Sequence, residues 1–289
     1  MSKLSDTIRE QFGAGDKIRD AGLTSPYTIT RCDDIAYGTD EMQVLDVYYP
    51  KGTLTKLPVI ISIHGGGWVY GSKEVYQYYG MFLASLGFAF INFSYRLAPE
   101  HKYPSSLEDT NSVVKWMYDH KDEYPFDLDH VFMVGDSAGA AMLGIYSNIC
   151  TNPEYAKNYS FTVPNGFVPQ AIALNCGGYG KRNKDNCDEP VEGLNAEYLA
   201  TPDQLPLTYV VDYMKDNFPP TYLMSSTGDF LLAQYPIMKE KLEELKIQHI
   251  AKIYGDDKNQ LPHVFHCNVK TEDAAICNQE ECAFFKSFL

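Results

Sequence analysis

Short apolar runs recur along the chain, each closed by turn residues, and most are followed by a stretch of helical period. The clearest are Val59–Ile63, Phe88–Phe93, Val131–Val134, Ala171–Leu174, Tyr222–Met224 and Ile250–Tyr254. A strand that is apolar on both sides must be covered on both sides. The alternation therefore predicts a mostly parallel α/β sheet with helices on its two faces. Ile35–Tyr37 and Met42–Tyr49 have no helix between them and are expected to pair antiparallel at one edge. Leu107, Thr110, Val114 and Met117 share one helical face, as do Met238, Leu242 and Leu245. Ile276, Ala283, Phe284 and Phe288 mark a terminal helix, and each of these stripes is read as core packing.

Two stretches depart from the alternation. Met1–Pro26 carries Leu4, Ile8 and Phe12 at helical spacing with no strand beside it. Gly180–Phe218 is rich in charge and asparagine and separates two predicted strands. A long insertion on the C-terminal side of a sheet commonly covers a site, so 1–26 and 180–218 are candidate cap segments of a single domain spanning 1–289. With 45% apolar residues over 289 positions, one large core forms without crosslinks.

Charge narrows the partners. Against 24 basic residues stand 38 acidic ones, a net −14 that repels phosphate backbones and anionic headgroups, so neither nucleic acid nor a membrane surface is an expected partner. Met1–Thr7 contains no apolar signal core, and no later run approaches the roughly 18 apolar residues of a spanning helix. A soluble, cytoplasmic protein is expected. Seven cysteines at 32, 150, 176, 187, 267, 277 and 282 include no C-x-x-C pair and are read as reduced thiols.

The chemistry begins at Gly135-Asp136-Ser137-Ala138-Gly139, a G-x-S-x-G pentapeptide between a predicted buried strand and a predicted helix. A sharp strand-to-helix turn lifts the Ser137 hydroxyl above the sheet in strained backbone geometry, and only small neighbours fit around it. Gly135, Gly139, Ala140 and Ala141 meet that demand. Asp136 is read as orienting nearby backbone. His64-Gly65-Gly66-Gly67-Trp68 follows the strand Val59–Ile63. Its glycines let backbone N–H groups approach a ligand, so Gly66, Gly67 and Ala138 are candidate oxyanion-hole donors. His64 is read as a hydrogen-bond donor that fixes this loop, and Trp68 as a substrate-binding side chain.

A serine hydroxyl needs an imidazole base, and the imidazole needs an acid to hold its tautomer. Asp229 follows the strand at Tyr222–Met224, and His263 follows the strand at Ile250–Tyr254 through a polar loop. His249 opens its strand, the wrong end of a parallel sheet for a site at the carboxyl edge. His266 is a rival base, set apart only by its register in the loop. Asp256, Asp257, Asp212 and Asp216 are the competing acids.

With these elements in order, the chain resembles the hormone-sensitive lipase family of α/β-hydrolases, which includes bacterial esterases and plant carboxylesterases. The resemblance rests on His64–Trp68, Tyr95-Arg96-Leu97-Ala98-Pro99-Glu100, Gly135–Gly139, Asp229 and His263-Val264-Phe265, and covers the chain from about Ile35 to its end. It implies an α/β-hydrolase fold, an eight-stranded mostly parallel sheet under a helical cap, with Ser137, Asp229 and His263 as triad and Gly66, Gly67 and Ala138 as oxyanion hole. It also favours His263 over His266, because the family's catalytic histidine stands before a small residue and Phe. Ala140 stands where a second glycine is usual, and Gly228-Asp229-Phe230-Leu231-Leu232 replaces the more usual Asp-Pro-Leu. Arg96 and Glu100 are read as a local ion pair or loop brace.

The expectation is a metal-independent serine carboxylesterase, needing no cofactor, that acts on short-chain acyl esters through an acyl-enzyme. An arylformamidase-like amidohydrolase uses the same triad. Plant gibberellin receptors resemble this family but lack the histidine that His263 supplies here, so a ligand-binding role is the remaining alternative. A homodimer through an edge strand or the cap is compatible with the sequence.

Overall fold

The computed structural model describes residues 3–181 and 189–289, the side chains of 189–192 excepted. The strands are β1 (Ile29–Ala36), β2 (Val44–Pro50), β3 (Leu57–Ile63), β4 (Ala89–Phe93), β5 (Phe126–Asp136), β6 (Ala171–Asn175), β7 (Thr221–Ser226) and β8 (His249–Tyr254). The helices are α1 (Lys3–Asp20), α2 (Lys73–Ser85), α3 (Ser105–Asp119), α4 (Ala138–Thr151), α5 (Pro153–Ala156), α6 (Glu189–Tyr198), α7 (Val210–Tyr213), α8 (Tyr235–Glu244) and α9 (Glu272–Lys286). Among the described residues, eight strands form one sheet in the order β1-β2-β4-β3-β5-β6-β7-β8. β1 and β2 pair antiparallel at one edge, as their bare connection predicted, and β2 meets β4 antiparallel. Every remaining pairing is parallel. Because β3 and β5 lie side by side at the centre, the loops leaving their carboxyl ends meet there. Those loops carry the glycine run and Ser137.

The wholly apolar runs are buried as expected: β4 and β6 are covered along their entire length, and apolar clusters lie on both faces of the sheet. The stripe Leu107, Thr110, Val114, Met117 is the buried face of α3. The terminal helix buries a different face from the one expected. α9 buries Ala274, Cys277, Glu281, Cys282, Phe284 and Phe285, whereas Ile276 is 43% exposed. Polar Asn278 and Glu281 take core positions, and this conceals the true face from a hydrophobic count. Arg96 and Glu100 act as loop braces, as expected, and not as a mutual ion pair: Arg96 binds Asp109 at 2.8 Å and Glu108 at 3.2 Å, while Glu100 holds Arg9 of α1 at 2.7 Å.

Glu281 sits in the core between the Tyr79 hydroxyl, which donates at 3.0 Å, and the Asn175 amide, which donates at 2.7 Å. Burial pushes its carboxyl up from 4.5 to about 7, although both donors pull the other way. The folded chain thus retains a proton that the unfolded chain has released. Stability from this group is complete below pH 4.5 and is lost as pH rises through about 7, a change of about 3 kcal/mol. Glu281→Gln is expected to flatten that part of the pH–stability curve and to raise the urea midpoint at pH 8. The side-chain oxygen Oδ1 of Asn175 has no hydrogen-bond partner, so the side-chain amide can turn to meet the new donor. A midpoint at pH 8 equal to or below that of the unaltered chain contradicts this account.

Candidate active site

The turn from β5 into α4 places Ser137 at φ 52° and ψ −119°, the strained left-handed geometry expected of a serine lifted above a sheet. Gly139 makes the turn possible, since any Cβ there would collide with the Ile63 carbonyl oxygen of β3. The first N–H groups of α4 have no intrahelical acceptor and face the serine, favouring negative charge beside it. Ser137 N–H itself donates to the Asn175 carbonyl at 2.8 Å.

Two loops are joined to bring the other partners over this turn. Beyond the last rungs of β7 and β8, Gly228 and Pro262 form an isolated parallel bridge, and Gly228 N–H donates to Leu261 O at 2.9 Å. The next residue on each side is Asp229 or His263. His263 Nδ1 meets Asp229 Oδ1 at 2.6 Å, and His263 Nε2 meets Ser137 Oγ at 2.9 Å. The Asp229 side chain is fully covered and that of His263 is 17% exposed. Burial works to raise the Asp229 carboxyl. Bonds from His263, Leu231 N–H and Ser225, with the imidazole's charge, outweigh burial and hold it below the ordinary carboxylate value. The Phe230 ring lies 4.2 Å from that of His263 and covers one of its faces.

His266 faces away. It is buried against Tyr79, its ring nitrogen Nε2 lies 3.6 Å from Cys267 Sγ, and burial lowers it to about 3. His249 lies at the opposite end of β8, paired in register with Thr221. Asp212 and Asp216 are exposed, and Asp256 accepts the Lys258 and Asn259 N–H groups in a surface turn. None of these is brought to Ser137.

The glycine loop is held from below. Gly66 and Gly67 have φ of 115° and 60°, conformations that side chains disfavour. His64 is buried and burial lowers it to about 4, so it is neutral, and its Nδ1 donates to the Gly65 carbonyl at 2.7 Å. Tyr95 stacks on His64 at 4.0 Å and donates to its carbonyl oxygen at 3.0 Å. Asp136 ties this loop to the turn: it accepts Gly65 N–H at 3.1 Å and the Tyr76 hydroxyl at 2.7 Å, and burial raises it to about 6. Asp136 thus orients backbone, as expected, and in doing so joins two loops 71 positions apart, which its place in the pentapeptide does not reveal.

Among the described residues, two recesses open on Ser137. One, of about 50 Å³ and mostly apolar, is lined by Ser137 and His263 together with Gly67, Trp68, Ala138, Leu194 and Phe230. Trp68 is fixed there by stacking on Tyr198 at 4.7 Å. The second, of about 310 Å³, runs between α1 and the glycine loop past Asp16, Arg19, Tyr70 and Tyr76. α1 is fastened over both. Arg9 grips Glu100 and the Val69 and Ala98 carbonyls, Arg19 donates to Val75 O at 2.6 Å, and Tyr70 donates to Asp16 at 2.7 Å. Among the described residues, one group of His, Cys and carboxylate side chains is close enough to share a metal ion: Cys176, Asp229 and His263. Asp229 and His263 in that group are already bonded to each other. The six described cysteines are unpaired, and Cys187 and positions 182–188 of the expected cap lie outside the described residues. No described helix is long and apolar enough to cross a membrane.

A mostly parallel sheet with a serine on the central strand-to-helix turn, and with acid and imidazole on loops after the next-to-last and last strands, defines an α/β-hydrolase. The chain belongs to the BD-FAE family, whose model matches residues 45–242. It is 29% identical over 234 residues to versiconal hemiacetal acetate esterase of Dothistroma septosporum, a match spanning 76% of this chain and 70% of the relative. It is 31% identical over 160 residues to carboxylesterase NlhH of Mycobacterium tuberculosis, spanning 52% of this chain and 50% of the relative. The chain spans about half or less of the length of several such relatives, 40% for esterase LipC of the same bacterium. Among solved structures, esterase B of Lactobacillus rhamnosis superposes with a TM-score of 0.90 at 24% identity, covering 98% of this chain and 93% of that one. The thermostable carboxylesterase EstE1 from a metagenomic library gives 0.78 at 20%, covering 99% and 97%.

Proposed function

We propose that the chain is a serine carboxylesterase acting on short-chain acyl esters, with Ser137 as nucleophile, His263 as base and Asp229 as its acid. The observation that carries this reading is the unbroken line from Ser137 Oγ to His263 Nε2 at 2.9 Å and from His263 Nδ1 to Asp229 at 2.6 Å. Ser137 Oγ attacks the ester carbonyl while His263 takes its proton. The oxyanion is met by the N–H groups of Gly66, Gly67 and Ala138, and the alcohol leaves with the proton from His263. Water, deprotonated by the same imidazole, then hydrolyses the acyl-enzyme. In this reading 1–26 and 180–218 form a cap, supported by the packing of Leu4 of α1 against Gly193 of α6.

The acyl group is assigned to the smaller recess. A volume of about 50 Å³ bounded by Trp68 and Leu194 matches a short chain, and the fungal relative is by name an acetate esterase. On p-nitrophenyl esters, kcat/KM is expected to peak at acetyl to butyryl and to fall at least tenfold by octanoyl, since each excluded methylene forfeits about 0.8 kcal/mol or strains the walls. A rate that rises with chain length to octanoyl and beyond refutes this assignment. Faster turnover of a formanilide than of any ester places the chain with the amidohydrolases, and binding without turnover of either places it with the receptors.

A further inference from the structure

The two oxygens of Asp229 are not held alike. Oδ1 accepts His263 Nδ1 at 2.6 Å and the Leu231 N–H at 2.8 Å. Oδ2 accepts the hydroxyl of Ser225, the next-to-last residue of β7, at 2.7 Å. Ser225 is 2% exposed and the Asp229 side chain is fully covered, so no water competes for that oxygen. A buried carboxylate pivots about its Cβ–Cγ bond unless both oxygens are engaged, and a pivot would carry Oδ1 off the imidazole. Leu231 fixes one oxygen from the loop. Ser225 fixes the other from the sheet, the most rigid part of the fold.

Cys176 closes the third side. It follows the last residue of β6 at φ 52°, an energetically costly backbone for a residue with a Cβ, and its N–H is held by the Met224 carbonyl at 2.8 Å. This conformation brings its sulfur, the Asp229 carboxylate and a His263 ring nitrogen within 4.8 Å of one another. Burial, and after it the neighbouring Asp229 charge, push the thiol well above its usual value, so it stays uncharged and faces the carboxylate as a further, weak donor.

We infer that Ser225 is a positioning residue for the reaction: its hydroxyl orients the Asp229 carboxylate toward His263 and keeps it ionised in a dry pocket. The inference rests on the triad assignment proposed above. The other titratable groups facing the pair are Asp136, His266, Cys176 and Tyr179, with Arg19 farther off, and among the hydrogen bonds described none joins any of them to Ser225. Removing the hydroxyl therefore changes the carboxylate's solvation and leaves that surrounding set in place.

The test compares the full chain with Ser225→Ala, Ser225→Thr and Ser225→Cys on p-nitrophenyl acetate across pH 5 to 9, with thermal unfolding alongside. Ser225→Ala is expected to lose roughly 10- to 100-fold in kcat, the worth of a hydrogen bond to a charged group, with KM little changed. The acid limb of its kcat/KM profile moves to higher pH, because a carboxylate with one donor fewer keeps more of its charge and holds the protonated imidazole more tightly. Ser225→Thr retains the hydroxyl and is expected to keep the unaltered profile. A merely structural serine would lower the melting temperature and leave the limb unmoved, which overturns the inference, as does Ser225→Ala with full kcat. Should Ser225→Ala fail to fold, Ser225→Cys fills the same space and donates weakly. It is expected to show the loss and the shift in smaller measure, and full kcat with the original limb overturns the inference. Labelling of Ser137 by a fluorophosphonate in the unaltered chain separates the two levels. Labelled Ser137 with an unaffected Ser225→Ala defeats only the inference; an unlabelled Ser137 in folded protein defeats the triad reading and the inference with it.

Discussion

Ser137→Ala is expected to lower kcat on p-nitrophenyl acetate about 10⁶-fold, because nucleophile and base act as a unit and loss of either removes the covalent route. His263→Ala is expected to fall about as far, and the double variant no farther than either alone. That non-additivity is the sharper part of the result. Two independent contributions would multiply, whereas a shared Ser137 Oγ–His263 Nε2 bond of 2.9 Å can be lost only once. A residual rate of about 10³–10⁴ over water should survive in all three, carried by the N–H groups of Gly66, Gly67 and Ala138, which none of these changes touches. His266→Ala is the internal control. Its ring is packed on Tyr79 and Cys267, so its loss is expected to cost stability and leave kcat within a few-fold. If His266→Ala instead matches His263→Ala in kcat while remaining folded, the base has been misassigned. Steady-state kinetics on the purified variants, with folding checked by circular dichroism, decide both points.

The fold was legible because its strands are pure. Val59–Ile63 and Ala171–Leu174 carry no polar residue except Ser62, and burial on both faces leaves a parallel sheet as the consistent arrangement. The serine was legible for a steric reason: Gly135 and Gly139 flank the one residue that must sit at positive φ between strand and helix. The choice between His263 and His266 was not open to a count of positions. It is made by the Gly228–Pro262 bridge and by Val264 at φ 51°, which turns the chain so that His263 faces the serine and His266 the core. Nothing in a one-dimensional pattern reports a bridge between two loops. The α9 register is hidden from the sequence because buried Glu281 and Asn278 look like solvent positions, and their partners Asn175, Tyr79 and the His266 carbonyl lie far along the chain or on another element. Ser225 is hidden for the same reason in reverse: a small polar residue near the end of a strand carries no signal, and only the 2.7 Å bond to Asp229 marks it.

Asp229 offers the second large effect and a test of orientation. Asp229→Ala is expected to lower kcat by about 10⁴-fold, since the imidazolium loses its counter-charge and the ring its anchor. Asp229→Asn should lose less in this protein. An asparagine can stand with its carbonyl oxygen toward His263 or with its amide there, and the second choice forces the wrong tautomer on the ring. Here Leu231 N–H points at Oδ1, the oxygen that also faces His263 Nδ1. An amide placed there would set donor against donor in a site without water. With the carbonyl there, the amide falls at Ser225, whose hydroxyl can rotate and accept. The neutral side chain thus preserves the tautomer that lets His263 Nε2 take the Ser137 proton, and only the charge is lost. The expected order of kcat is the unaltered chain, then Asp229→Asn, then Asp229→Ala, with roughly a tenfold gap or more between the last two, about one hydrogen bond to the ring. Asparagine at or below alanine in kcat would mean that the amide faces His263. Leu231 N–H then does not set the orientation, and the part given to Ser225 in holding the opposite oxygen weakens with it.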